Sequence, residues 1–407
     1  MSAAPRTHRC MALALAHVFL AALIAACAGG ARGPAGDGQW DDPRREAADR
    51  RIMRLIAEER WERVVDAADS VESDAGGDPR LWGQKALALG KTGRFDESVA
   101  LFEQALLADY ASCDNHLNFA VVLLESGRSG RALTELAEAS RFCGAVNRPV
   151  VQRNRAAAFL HRGERDRALE AVDEGLSSAP KDPYLLGLKG MLIAEAAPVQ
   201  AESLFVRAEA AGPLPGEFLY QLGLLLLRGE RPAEAIGPLE AALRGDPGDR
   251  GIRAAFAEAL ARAGRYDEAE AVLRGLIAEA PDEEIERRLG RLLMRRGEYA
   301  EALGIFRSLA QTPENRDRAA MCLHMTGRTR EALEIQRGVV AERPDWPTGL
   351  VNLAVYLGAE GELEEAEALL VRALELDPEN VAATVNLESL RRARESGSPA
   401  QDPPPPR

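Results

Sequence analysis

A glycine-marked turn returns at intervals close to 34 residues along much of this chain, and that period limits the fold more than any other feature. Gly93 and Gly127 stand 34 residues apart (127 − 93). The stretch Pro347–Asn380 shows what lies around one such turn. Leu350, Leu353, Ala354 and Leu357 recur at helical spacing and predict one amphipathic helix. Gly361-Glu362 is the turn, where Gly supplies the left-handed backbone that ends a helix. Leu363, Ala366, Leu370 and Ala373 then form a second apolar stripe, which Asp377-Pro378 stops. Small residues at Ala354, Ala366 and Ala373 stand where the two helices must approach closely.

This spacing resembles the tetratricopeptide repeat (TPR), a helix-turn-helix unit. Leu353, Ala354, Leu357, Ala366, Leu370, Ala373 and Pro378 fill the places that the family pattern reserves for apolar, small and helix-stopping residues. The resemblance implies an all-α fold, a right-handed superhelical solenoid of about ten helix pairs. Copies fall at about 45–78, 79–112, 113–148, 149–182, 183–215, 216–249, 250–282, 283–312, 313–346 and 347–380, followed by a polar-backed capping helix at 381–395. The first copy is atypical and its turn has no Gly; copy five is degenerate, with Ala196-Ala197-Pro198 at its turn. Gly297 and Gly327 are only 30 residues apart (327 − 297), so the second helix or linker of copy eight is expected to be short. Each copy buries its apolar face against its neighbours, and no compact enzyme-sized domain is left over.

The first residues read as an address. Arg6, His8 and Arg9 form a positive segment, and Met11 to Leu23 is apolar but short for a permanent span. Ile24-Ala25-Ala26-Cys27 resembles the lipobox of bacterial lipoproteins. That resemblance implies a signal peptide at 1–26, cleavage before Cys27 and acylation of it. Ala28 follows where Asp would signal inner-membrane retention, which implies an outer-membrane lipoprotein facing the periplasm. An ordinary secretory signal with an incidental Cys, or an uncleaved anchor, are the other readings. Residues 27–44 read as a flexible tether and 396–407 as a disordered proline-rich tail.

The net charge of −13 argues against nucleic acid as a partner, since phosphate binding needs a basic face. No metal-ligand spacing and no cofactor motif is present, so neither is expected. His116, His161 and His324 lie in different copies with no Ser or Asp arranged for a triad, and are expected at the surface or groove; no catalytic residue is expected. Cys113 opens copy three and Cys143 closes it, so an antiparallel helix pair would bring them together; a disulfide is expected in an oxidising compartment. Two small apolar residues at helix ends are the alternative. Cys322 sits on an apolar face and reads as core.

In TPR superhelices the first helix of each pair lines a concave groove, and its sixth position points inward. That position holds Gln84, Asn118, Asn154, Gln221, Asn352 and Asn386, with Arg50, Arg288 and Arg318 as exceptions. Side-chain amides both donate and accept, so the series is similar to the asparagine ladder of peptide-binding TPR proteins. Arg287, Arg291 and Arg295 follow one another at i, i+4, i+8, and Arg228, Arg262, Arg288 and Arg318 come from neighbouring first helices. Together they form a candidate basic patch in an acidic chain. Pairing with Glu283, Glu284 and Glu298 is the competing role. A chaperone-type carboxylate clamp around Asn118 is not supported, because its partner positions hold Gly83, Leu87, Val150 and Asn154.

The expectation is a non-catalytic interaction scaffold anchored to the envelope. It would bind extended or helical peptide segments and serve the assembly of a pilus or secretion complex. The alternatives are an adaptor for envelope polysaccharide or peptidoglycan enzymes, or a cytoplasmic co-chaperone-like protein if Cys27 is not processed.

Overall fold

Helix-forming residues between regularly spaced stops produce one helix after another. The structure, a computed structural model, describes residues 43–75 and 78–396. The expected signal peptide, Cys27, all but the last two residues of the expected tether, and the residues beyond Ser396 lie outside the described residues. Among the described residues there are 21 α-helices, one short 3-10 turn (Ala145–Asn147) and no strand. Odd-numbered helices are the first of each pair: α1 Pro43–Ala57, α3 Pro79–Lys91, α5 Cys113–Glu125, α7 Arg148–His161, α9 Pro183–Ile193, α11 Gly216–Arg228, α13 Arg250–Arg262, α15 Glu283–Arg296, α17 Pro313–Met325 and α19 Pro347–Glu360. Even-numbered helices are the second: α2 Trp61–Ala75, α4 Phe95–Ala108, α6 Ser129–Phe142, α8 Arg165–Ser178, α10 Pro198–Ala211, α12 Pro232–Gly245, α14 Tyr266–Glu279, α16 Tyr299–Ser308, α18 Thr329–Glu342 and α20 Leu363–Leu376. The cap is α21, Val381–Ser396.

Local chemistry explains where the helices start and stop. Six first helices open on a side-chain cap: Asp78, Ser112, Asp182, Asp249, Asp282 and Thr312 each accept from a backbone N–H two or three residues on. Pro79, Pro183, Pro313 and Pro347 follow in the first turn, where no N–H is needed. At the turn the closing residue donates its N–H five residues back, as Arg94 does to Leu89, Arg265 to Leu260 and Glu362 to Leu357. That closing residue is also the N-cap of the second helix, and several such arginines pair with a Glu three residues on (Arg94–Glu97, Arg265–Glu268, Arg328–Glu331). The left-handed turn position is glycine in seven copies but Glu59 (φ 54°) in the first and Glu230 (φ 56°) in the sixth. Copy five turns without a left-handed residue, and α9 is cut to 11 residues. The shortfall in copy eight lies in α16, which has 10 residues where α14 and α18 have 14.

Packing follows one rule in every pair after the first, where Val64 takes the place. The fourth residue of the second helix is fully buried and small: Ala132, Ala168, Ala201, Ala235, Ala269, Ala302, Ala332 and Ala366. In α4 it is Ser98, whose buried hydroxyl donates to the Ala86 carbonyl at 2.6 Å. One turn later comes a large apolar residue such as Phe102, Leu136, Phe205, Phe306 or Leu370. A small residue between two close helices with bulky neighbours around it fills space at interior density.

The chain divides into two compact units, one ending at Leu225 and one beginning at Leu226, inside α11. In the first unit, Ile52, Leu55, Val64 and Leu81 begin the core. In the second unit a single apolar cluster runs from Ala254 to Leu390, passing through each successive helix pair.

Candidate binding surface

The sixth residue of a first helix turns toward the preceding first helix, and this sets the fate of the predicted ladder. Gln84 Nε2 lies 3.5 Å from Met53 Sδ on α1, and Asn352 Nδ2 donates to Asp317 Oδ1 on α17 at 2.8 Å. Gln84 and Asn118 are 8% exposed and Asn154 only 3%. These three are therefore corrected from free amides facing a peptide to seam residues, because successive first helices close over them. Gln84 Oε1 and Asn154 Nδ2 are buried without a hydrogen-bond partner. Gln221, Asn352 and Asn386 remain half-buried.

The arginines divide in the same way. Arg262 is tied down: it donates to the Leu227 carbonyl at 2.9 Å and pairs with Glu230. Arg287 pairs with Glu284. Arg228 is exposed at the end of α11. Arg288, Arg291 and Arg295 line one small cleft of about 70 Å³ between α13 and α15. Its apolar wall is Ala257, Ala261, Leu273 and Leu292, and Glu258 stands at its side. Arg288 reaches Glu284 at 3.2 Å and Glu258 at 4.0 Å, whereas Arg291 comes no nearer than 3.8 Å to Glu284. Arg295 makes no ion pair among the described residues. Burial, and then the Arg318 charge, push the Arg291 guanidinium below its usual range. Arg318 Nε is itself buried without a hydrogen-bond partner.

Two clusters were not anticipated. Gln336, fully buried in α18, donates to Asp317 Oδ1 at 2.8 Å and to the Gly349 carbonyl at 3.0 Å. It occupies the column held by Phe306 in α16 and Leu370 in α20, so reading the repeats as columns would have singled it out. Burial raises the Asp317 pKa despite these two amide donors. In the first unit, Glu217 has a buried Oε2 without a partner, and burial lifts its carboxyl to about 7. His116 is a second correction: it lies buried between α5 and α6 rather than at the surface. Cys113 and Cys143 are joined as a disulfide at the same end of that pair. Cys322 is buried, and burial pushes its thiol up to about 12.

Family models of the tetratricopeptide repeat match residues 84–147, 149–174, 199–250, 226–292, 287–320 and 348–376. The chain is a TPR protein. No curated protein sequence matches this TPR chain. Among solved structures it is similar to yeast Tom70 (15% identity, 86% of this chain and 88% of that one, TM-score 0.40). It is also similar to the Cut9–Hcn1 hetero-tetramer of APC/C (12%, 87% and 91%, 0.41). A third is PilW, described as a widely conserved type IV pilus biogenesis factor (21%, 48% and 94%, 0.39). TPR solenoids are in general non-catalytic scaffolds that bind other proteins through peptide segments, and this chain has that fold.

Proposed function

We propose that this TPR protein is a non-catalytic scaffold, anchored to the bacterial envelope through Cys27, that holds segments of partner proteins on the faces of its first helices. The observation that carries the binding role is the set of half-buried amides and under-neutralised arginines on those helices, Gln221, Asn386, Arg291 and Arg295 among them. Such groups supply hydrogen bonds and charge to a bound segment. The envelope reading draws on two independent features. The lipobox-like Ile24–Cys27 supplies an anchor, and several acyl chains on one Cys hold a protein durably to a bilayer. The Cys113–Cys143 bridge suits an oxidising compartment such as the periplasm. Service to pilus or secretion-channel assembly is the role we assign to an outer-membrane scaffold of this design.

Crosslinked capture from native membranes tests it, comparing the full chain with Gln221→Ala/Asn386→Ala and Cys27→Ser variants. A pilin or secretion-channel protein held by the wild type and lost from the first variant supports the reading. A glycan-processing enzyme in its place would make the protein an adaptor for polysaccharide or peptidoglycan machinery. Identical capture by both chains would move binding off the first helices. Cys27→Ser protein that stays on membranes with unchanged mass would end the lipid-anchor reading.

A further inference from the structure

We infer that the cleft between α13 and α15 receives carboxylate side chains of an acidic polypeptide segment; this rests on the scaffold reading above and names the chemistry of one of its sites. Charge is the first argument. Arg288, Arg291 and Arg295 line the cleft, and the Arg318 charge acts on Arg291 from nearby, whereas Glu258 and Glu284 are the acidic groups that reach the lining arginines. A local excess of guanidinium persists in a chain whose net charge is −13. Nearby like charges repel, and partial burial makes the repulsion costlier than it is in water. An incoming anion relieves it.

Geometry is the second argument. Arg291 stands in the cleft with no carboxylate closer than 3.8 Å, Arg295 has no ion pair among the described residues, and Arg318 Nε is buried without a partner. Guanidinium groups left short of acceptors are suited to the two oxygens of a carboxylate, which they can bind bidentately. The remaining wall, Ala257, Ala261, Leu273 and Leu292, is apolar and accepts the methylene stem of a Glu side chain. That combination favours an acidic side chain over a free inorganic anion, which has no stem to place there. The spacing of Arg291 and Arg295, one helical turn apart, provides two points of contact for successive carboxylates along a segment.

The probe is a capped hexaglutamate peptide, with capped hexaglutamine as its neutral counterpart and inorganic phosphate as competitor. Binding to the full processed chain is followed by calorimetry. Hexaglutamate is expected to bind, to weaken as salt rises, and to outbind hexaglutamine. The Arg291→Gln/Arg295→Gln variant should bind it about tenfold or more weakly, the scale of one lost charge-assisted contact. Removing mutually repelling charges should leave its melting temperature at or above that of wild type. Arg295→Gln alone, at an exposed and unpaired position, should weaken binding with the fold intact.

Equal binding of the two peptides, or undiminished binding by the Arg295→Gln variant, would overturn the inference. Phosphate displacing the peptide at equal concentration would reassign the cleft to free oxyanions. The two readings fail separately. Loss of hexaglutamate binding with envelope capture intact sinks only this site, and the reverse result sinks only the scaffold assignment.

Discussion

His116 Nδ1 lies 2.8 Å from Glu135 Oε2, and its Nε2 lies 2.8 Å from the Tyr110 carbonyl oxygen. Both partners are acceptors, so both ring nitrogens must donate, which only the imidazolium can do. The ring is 1% exposed and stacks at 5.8 Å on Phe142, beside the Cys113–Cys143 bridge. Burial opposes the charge, but the Glu135 carboxylate and the Tyr110 carbonyl outweigh it and raise the His116 pKa. Copy three is thus clasped twice, by a covalent bond and by a buried cation.

That clasp has a pH signature. A His whose folded pKa exceeds its unfolded value near 6.5 contributes stability that is full below that pH and is lost as pH rises through the folded pKa. Urea midpoints should therefore fall as pH climbs above 6.5, and this component should vanish in Glu135→Gln. At pH 6 that substitution should cost about 1–3 kcal/mol, since it weakens a buried hydrogen-bonded pair. A midpoint that rises with pH in this window, with the wild type and the variant parallel, would refute the imidazolium.

Glu217 titrates in a lower window with the same sign. Burial lifts its carboxyl to about 7 from an ordinary 4.5, so the folded chain binds a proton that the unfolded chain has already released. Stability should decline from pH 4.5 to 7 on the order of 2–3 kcal/mol through this group and then level off. Glu217→Gln, uncharged throughout, should flatten that segment of the profile. The check is the same urea series extended to pH 4.5; an unaltered slope in the variant would show that Glu217 is solvated.

The first and sixth turns carry avoidable strain. Glu59 and Glu230 sit at φ 54° and 56°, where other copies place glycine. An L-residue pays about 1–2 kcal/mol in the left-handed region, and glycine recovers part of that after its larger entropy loss. Glu59→Gly and Glu230→Gly should each raise stability by a few tenths to about 1 kcal/mol, read as a higher thermal midpoint. Two destabilised variants would show that the Glu side chains contribute contacts that outweigh the strain.

Gly290 is required by its neighbour. A Cβ there would meet Phe306 Cζ at 2.8 Å, closer than real contacts allow. Gly290→Ala should cost about 1–3 kcal/mol through overpacking. In a Phe306→Leu background the same change should be neutral or stabilising, because alanine suits a helix better than glycine by about 1 kcal/mol. A double-mutant cycle measures the difference, and additive effects would contradict the close approach.

Turn glycines, small residues at Ala366 and its equivalents, and stop signals such as Asp377-Pro378 are local, so the sequence by itself determined the helix pairs and a shortening in copy eight, which the structure then assigned to α16 and not to a linker. The period carried this information because each pair repeats one packing solution, and the signal accumulates over copies. The Cys113–Cys143 proximity was legible for the same reason: antiparallel helices of known length bring their ends together.

Charge partners and burial were decided only by the tertiary structure. Position six of the first helices reads as an open ladder in sequence, yet Asn154 is shut into a seam and Asn352 is spent on Asp317. Arg262 and Arg295 look equivalent along the chain, but one binds Glu230 and the Leu227 carbonyl while the other lines a cleft unpaired. His116 looks like a surface residue until α6 supplies Glu135. The physical reason is range. Turns and helix faces depend on residues a few places apart, whereas solvation and pairing of a side chain depend on atoms that folding brings in from other helices.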